Sequence, residues 1–118
     1  MIVFILLLHI AVRGNGIKDV KLYSMQATAY CLHGTTADGS QTRIGIAASK
    51  PEWIGKTAVV YLDDNGERGE LLGFYEIKDT GGKSVRSGKV LDIWLPTYNE
   101  CKQFGRKKVL VAIVDGVG

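Results

Sequence analysis

Apolar and polar residues alternate with period two along several short stretches, and that period predicts β-strands. In SMQATAYCL, Met25, Ala27 and Ala29 fall on one face and Gln26, Thr28 and Tyr30 on the other. IGIAAS is a short apolar strand, TAVVYL a β-branched one, and ELLGFYEIKD runs back antiparallel to it through the Asn-Gly pair of DDNGE. VLDIWL and the continuously apolar KKVLVAIV complete the strands, the last one expected to be buried on both faces.

Polar punctuation separates these runs. HGTTADGSQTR reads as a loop. In SKPEW, Ser49 stands three residues before Glu52 with Pro51 between, a capping-box pattern for a single helical turn. PTYNECKQFG is the one good helix candidate, with Thr97 as cap, Glu100 three residues on and Gly105 as the stop. The expected inventory is about six short strands and one short helix.

The first twelve residues, MIVFILLLHIAV, are apolar apart from His9. Such a run falls short of the roughly 20 residues needed to cross a bilayer. Followed by the polar RGNGIKDVK, it is expected to be a short export signal, although a basic n-region is missing and a buried strand is the rival reading. The chain thus divides into a leader and linker over 1–22 and a globular part over 23–118.

A length of 118 residues suits one domain, and 46% hydrophobic with 23% charged residues excludes a disordered chain. Fifteen glycines against two prolines suit the tight turns of a small all-β fold. A net charge of +3 is compatible with an anionic polymer such as a bacterial cell wall, while no basic run or arginine-rich helix points to nucleic acid. Two histidines and two cysteines outside any CxxC pair make a metal site unexpected. Cys31 and Cys101 can equally be two free thiols or one disulfide, the latter worth roughly 4 kcal/mol on the loop-entropy model. Cys31 and His33 lie two apart, but no orienting third residue supports a Cys-His peptidase.

The stretch richest in chemistry is IKDTGGKSVRSGKVLDIWL, with Asp79 and Asp92 at the two ends of a Gly-rich excursion. An acid between Leu91 and Ile93 is unusual, because charge is seldom buried without a partner. If the two segments pair side by side, the carboxylates meet, each raises the other's proton affinity, and Asp79 and Asp92 together are the expected catalytic proton-transfer pair. The rival reading makes Asp92 an acceptor of backbone hydrogen bonds, Asp79 and Thr80 a turn that satisfies loop amides, and Gly81 and Gly82 its positive-φ residues. Trp94 and Tyr98 are core residues or sugar platforms.

ATAY, GIAAS, DTGG, LDIWLPT, a short helix ending in FGRK and a final apolar strand occur in this order. Over roughly Gln26 to Val114 the chain resembles the "3D" (three-aspartate) domain of bacterial cell-wall proteins. That family includes stationary-phase survival proteins and the catalytic barrel of membrane-bound lytic transglycosylase A. The resemblance implies an all-β fold, a six-stranded double-psi β-barrel with one short helix. It implies cleavage of peptidoglycan between N-acetylmuramic acid and N-acetylglucosamine, with Asp92 matching the catalytic aspartate and Asp79 the aspartate of DTGG. Thr80, Gly81, Gly82 and Trp94 are the expected glycan-binding residues. No cofactor and no metal are expected; the expected partner is the peptidoglycan strand, met extracytoplasmically by a monomer without a stable membrane span. Where the family has an Asp-Pro pair after its IA strand, this chain has Ser49-Lys50-Pro51, and Asp38 in TADG is not the obvious substitute for the third aspartate. The alternative function is a glycan-binding module without turnover, on the host or on a phage.

Overall fold

A computed structural model describes residues 20–115. The expected leader, Met1 to Val12, lies outside the described residues. The fold is mostly β, with six strands in one sheet: β1 (Leu22–Tyr30), β2 (Ile46–Ala48), β3 (Lys56–Asp64), β4 (Glu67–Asp79), β5 (Val90–Trp94) and β6 (Lys107–Asp115). Their order is β1-β5-β2-β4-β3-β6, and β6 returns to pair with β1, so the sheet closes on itself. β1 with β5 and β2 with β4 run parallel, and the other four neighbours run antiparallel.

Alternation along each strand fills the interior. Met25 and Ala27, Ala58 and Val60, Leu91 and Ile93, and Val109 and Val111 are successive inward pairs, joined by Ala47, Ile77 and Trp53. Each fully buried aliphatic side chain of this kind stabilises the fold by about 1.5–3 kcal/mol. Outside the closed sheet, Val59, Tyr61 and Ala112 form a second apolar cluster with Leu22, Leu71, Phe74 and Val114. Because β6 contributes to both layers, Val109 to Ala112 are all buried, as the unbroken apolar run predicts.

The connections follow their local chemistry. Asp64 pairs with Glu67 across Asn65-Gly66, whose φ values of 53° and 90° give the two left-handed residues of a tight hairpin. Helix α2 (Tyr98–Phe104) is capped by Thr97, which accepts from the Glu100 N–H, and ends at Gly105 with φ 65°.

Two expectations are corrected. SKPEW does give one helical turn, a 3-10 turn over Pro51–Trp53, but its cap position is Lys50 and no side chain caps it. Ser49 is instead fully buried, and its N–H donates to the Asp79 carbonyl at 3.0 Å. The excursion after DTGG also contains a helix the pattern did not predict, α1 (Lys83–Arg86), whose four residues are too few to show a period.

Candidate functional site

Asp92 sits at the centre of β5 with Leu91 and Ile93 pointing into the core on either side. Alternation therefore sends Asp92 outward, on the face it shares with Val90 and Trp94. The register places it in one row across four strands. Thr28 of β1 pairs with Asp92, Asp92 with Ala48 of β2, and Ala48 with Asp79 of β4.

Asp79 enters this row through an irregularity. Ala47 pairs with Ile77 and Ala48 with Asp79, so the register shifts by one residue at Lys78. In an unbroken strand Asp79 would share the inward face of Ile77. The bulge re-aims it to pair with outward Ala48. β2 separates β4 from β5, so the segments carrying the two acids do not pair directly. Two strand spacings put Asp79 and Asp92 about 10 Å apart at the backbone.

Tyr30 fills the gap. Ala48 has no side chain beyond Cβ, and Tyr30 packs against Ala48, Val85 of α1 and Val90. Its hydroxyl donates to Asp79 Oδ2 at 3.2 Å. Burial, then the Asp79 carboxylate and then Asp92, push the Tyr30 phenol well above the usual tyrosine range, so it remains a donor at neutral pH. Asp79 is otherwise committed to its own loop, with Oδ1 accepting from the Ala37 N–H at 3.0 Å and the Thr80 N–H at 3.0 Å.

Asp92 has a different environment. It is half-buried and accepts one side-chain hydrogen bond, from the Thr28 hydroxyl at 2.8 Å. Burial raises its pKa, while the Thr28 bond and the positive charge of Arg106 oppose the rise. Arg106 is itself held by Gln26 Oε1 at 2.8 Å. Of the two expected sources, desolvation by the apolar flanks is the leading cause, while repulsion from Asp79 does not contribute, the two acids standing two strands apart.

The expected glycan-binding residues separate. Trp94 is only 4% exposed, and its indole N–H donates to the Leu32 carbonyl at 2.8 Å, so it offers no face for stacking. It holds the loop after β1, with His33 edge-on to the ring at 5.2 Å. Tyr98, at the start of α2, is the exposed ring at 70%. Gly81 and Gly82 do not have positive φ; Gly82 is the extended cap residue of α1, and a Cβ on Gly81 would meet Val85 at 3.4 Å. Thr80 contributes its N–H to Asp79, and its hydroxyl is buried without a hydrogen-bond partner among the described residues.

An open cleft of about 260 Å³ lies beside this row, lined by Tyr30, Leu32, His33, Gly34, Thr35, Thr42 and Asp79. Asp92 is not in its lining. A larger depression of about 540 Å³, bordered by Pro51, Glu52, Lys83, Arg86 and Ser87, holds neither acid. Asp38, assigned no role from the sequence, orders the loop that forms one wall. It accepts from Thr36 and Ser40, pairs with Lys78 at 3.3 Å, and its N–H donates to the Lys78 carbonyl. Those bonds, Ser40 first, hold its carboxyl well below the usual carboxylate range.

Thr28, Tyr30 and Arg106 were the residues around Asp92 to which sequence reasoning assigned no role. For Thr28 and Tyr30 the signal was present, because Gln26, Thr28 and Tyr30 form the polar face of an otherwise apolar strand; nothing local marked Arg106. Among the described residues no cluster of His, Cys, Asp and Glu has the arrangement of a metal site, and no helix is long and apolar enough to cross a membrane. No protein-family model matches the chain, and no curated protein matches it.

Proposed function

We propose that this protein is a peptidoglycan lytic transglycosylase, built as a double-psi β-barrel and acting on the bond between N-acetylmuramic acid and N-acetylglucosamine. The observation that supports this reading is Asp92, a half-buried carboxyl whose pKa is raised by burial, facing outward from β5 beside the polar Gln26–Thr28–Tyr30 face of β1. A carboxyl that keeps its proton near the working pH is what the reaction requires. Asp92 donates that proton to the glycosidic oxygen as the bond to the anomeric carbon breaks. The resulting carboxylate then takes the proton of the muramic acid C6 hydroxyl, whose oxygen attacks the anomeric carbon and closes a 1,6-anhydro ring. Proton and charge balance within the substrate and Asp92, and water takes no part.

In this reading Asp79 is a positioning residue. It fixes Tyr30, which lines the cleft, and the Ala37 N–H of the loop after β1. Exposed Tyr98 supplies an aromatic face of the kind that packs against sugar rings. Thr80, Gly81 and Gly82 form the turn after Asp79. The partner is the glycan strand, met by an exported monomer at the cell wall.

One observation favours the second reading, a binding module without turnover. Asp79 spends its carboxylate on three internal donors, Tyr30, Ala37 and Thr80, as a structural aspartate does. Digestion of purified peptidoglycan separates the readings. The transglycosylase releases 1,6-anhydro-muropeptides; reducing-end products indicate a hydrolase, and binding without products indicates the module.

A further inference from the structure

The chain's two cysteines, far apart in sequence, meet in the fold. Tyr30 pairs with Trp94, and the Tyr30 carbonyl accepts the Leu95 N–H at 2.9 Å, so Cys31 leaves β1 alongside Leu95. Helix α2 starts just beyond, at Tyr98, and packs on β1. It brings the Cys101 thiol against the Cys31 side chain and the Leu95 backbone. Both cysteines are partly exposed, so a reagent can reach them.

We infer that Cys31 and Cys101 form an intramolecular disulfide that fastens α2 to the end of β1, made by exchange with a disulfide-bearing thiol oxidant. The two side chains are already in contact, and closure draws the sulfurs together to about 2.05 Å. Burial, the adjacent Cys31 thiol and the Asp92 carboxylate push the Cys101 thiol up, which disfavours Cys101 as the first nucleophile. The Cys31 thiolate attacks the reagent disulfide and releases one reagent thiol. Cys101 then loses its proton, attacks the Cys31 sulfur and displaces the second reagent thiol. Two electrons pass to the reagent disulfide, and the two protons leave with its thiols. The bridge lies next to the Trp94–Leu32 bond and the His33 contact to the Pro96 carbonyl at 3.3 Å. It therefore secures the wall of the cleft that carries Leu32 and His33. The inference does not depend on the enzymatic reading.

The test equilibrates the full chain with reduced and oxidised glutathione, then maps tryptic peptides without reduction. The expected product joins the peptide 22–43, which holds Cys31, to 90–102, which holds Cys101, and the intact mass falls by two hydrogens. Its melting temperature should exceed that of the reduced wild type by roughly 15–30 °C. Cys31→Ser should melt at the same temperature with or without reductant. Two thiols still titratable after equilibration, stable glutathione adducts at both cysteines, or a bridge only between chains would each overturn the inference.

Discussion

Tyr30→Phe removes one hydroxyl and leaves the ring that covers Ala48. In the wild type that hydroxyl donates to Asp79 Oδ2 at 3.2 Å. Bonds to charged acceptors are worth about 1.5–3 kcal/mol in favourable geometry, and short ones lie near 2.6 Å. The length here and the partial burial argue for a value somewhat below that range. Asp79 keeps the Ala37 and Thr80 N–H donors after the change, so its carboxylate is not orphaned. The expected loss is therefore about 1 kcal/mol, a fall in melting temperature of roughly 4–8 °C for a domain of this size. Urea unfolding followed by circular dichroism measures it, and a double-mutant cycle with Asp79→Ala isolates the bond. The coupling energy should be close to the Tyr30→Phe loss itself. Coupling below about 0.3 kcal/mol, the usual limit of additivity between independent sites, would refute the bond between Tyr30 and Asp79. A second readout is spectroscopic: burial raises both Tyr30 and Tyr75 above the usual tyrosine range, so phenol absorbance should show late-ionising tyrosines, and Tyr30→Phe should remove one of them.

Two further outcomes follow from the acids. Asp92 has a raised pKa in the folded state, so the unfolded chain ionises first as pH rises, and stability falls between the ordinary aspartate range and the folded value. Asp92→Asn should remove that fall, matching wild type in acid and equalling or exceeding it at neutral pH; urea midpoints from pH 3 to 8 check it, and parallel curves would contradict it. Asp38 has the opposite sign, since its depressed pKa stabilises the fold above the ordinary carboxyl range and that stability is lost as acid protonates it. Asp38→Ala should speed amide exchange at Ala37 and Ser40, whose loop it orders, and unchanged exchange would remove its role.

The elements were largely legible because each carries its own local signal. The Asn65-Gly66 hairpin, the Thr97 cap and the Gly105 stop act over a few residues, and the structure has all three. The same holds for the outward face of Asp92, which follows from its apolar neighbours Leu91 and Ile93. What sequence concealed was long-range. The order β5-β2-β4 inserts a strand between the two acids, and no local pattern encodes which strands become neighbours. The bulge at Lys78 reverses the face of Asp79 against its own alternation with Ile77. Trp94 reads as core or as sugar platform, and what decides for core is its N–H bond to Leu32, 62 residues away. Ser49 looks like a cap by spacing, but pairing with Asp79 draws its backbone into the sheet and buries it.

The central claim is that Asp92 cycles a proton during glycan cleavage, and product analysis of one substitution tests it most directly. Purified peptidoglycan is digested with wild type and with Asp92→Asn, and the soluble muropeptides are resolved by mass. Wild type should release 1,6-anhydro ends. Asn keeps the shape of Asp92 and an oxygen for the Thr28 hydroxyl, yet carries no carboxyl proton. The variant should therefore stay folded and bind glycan while its rate falls by roughly 10²–10⁴, the contribution of general acid–base assistance. Full activity in Asp92→Asn, or wild-type products with ordinary reducing ends, would contradict the account.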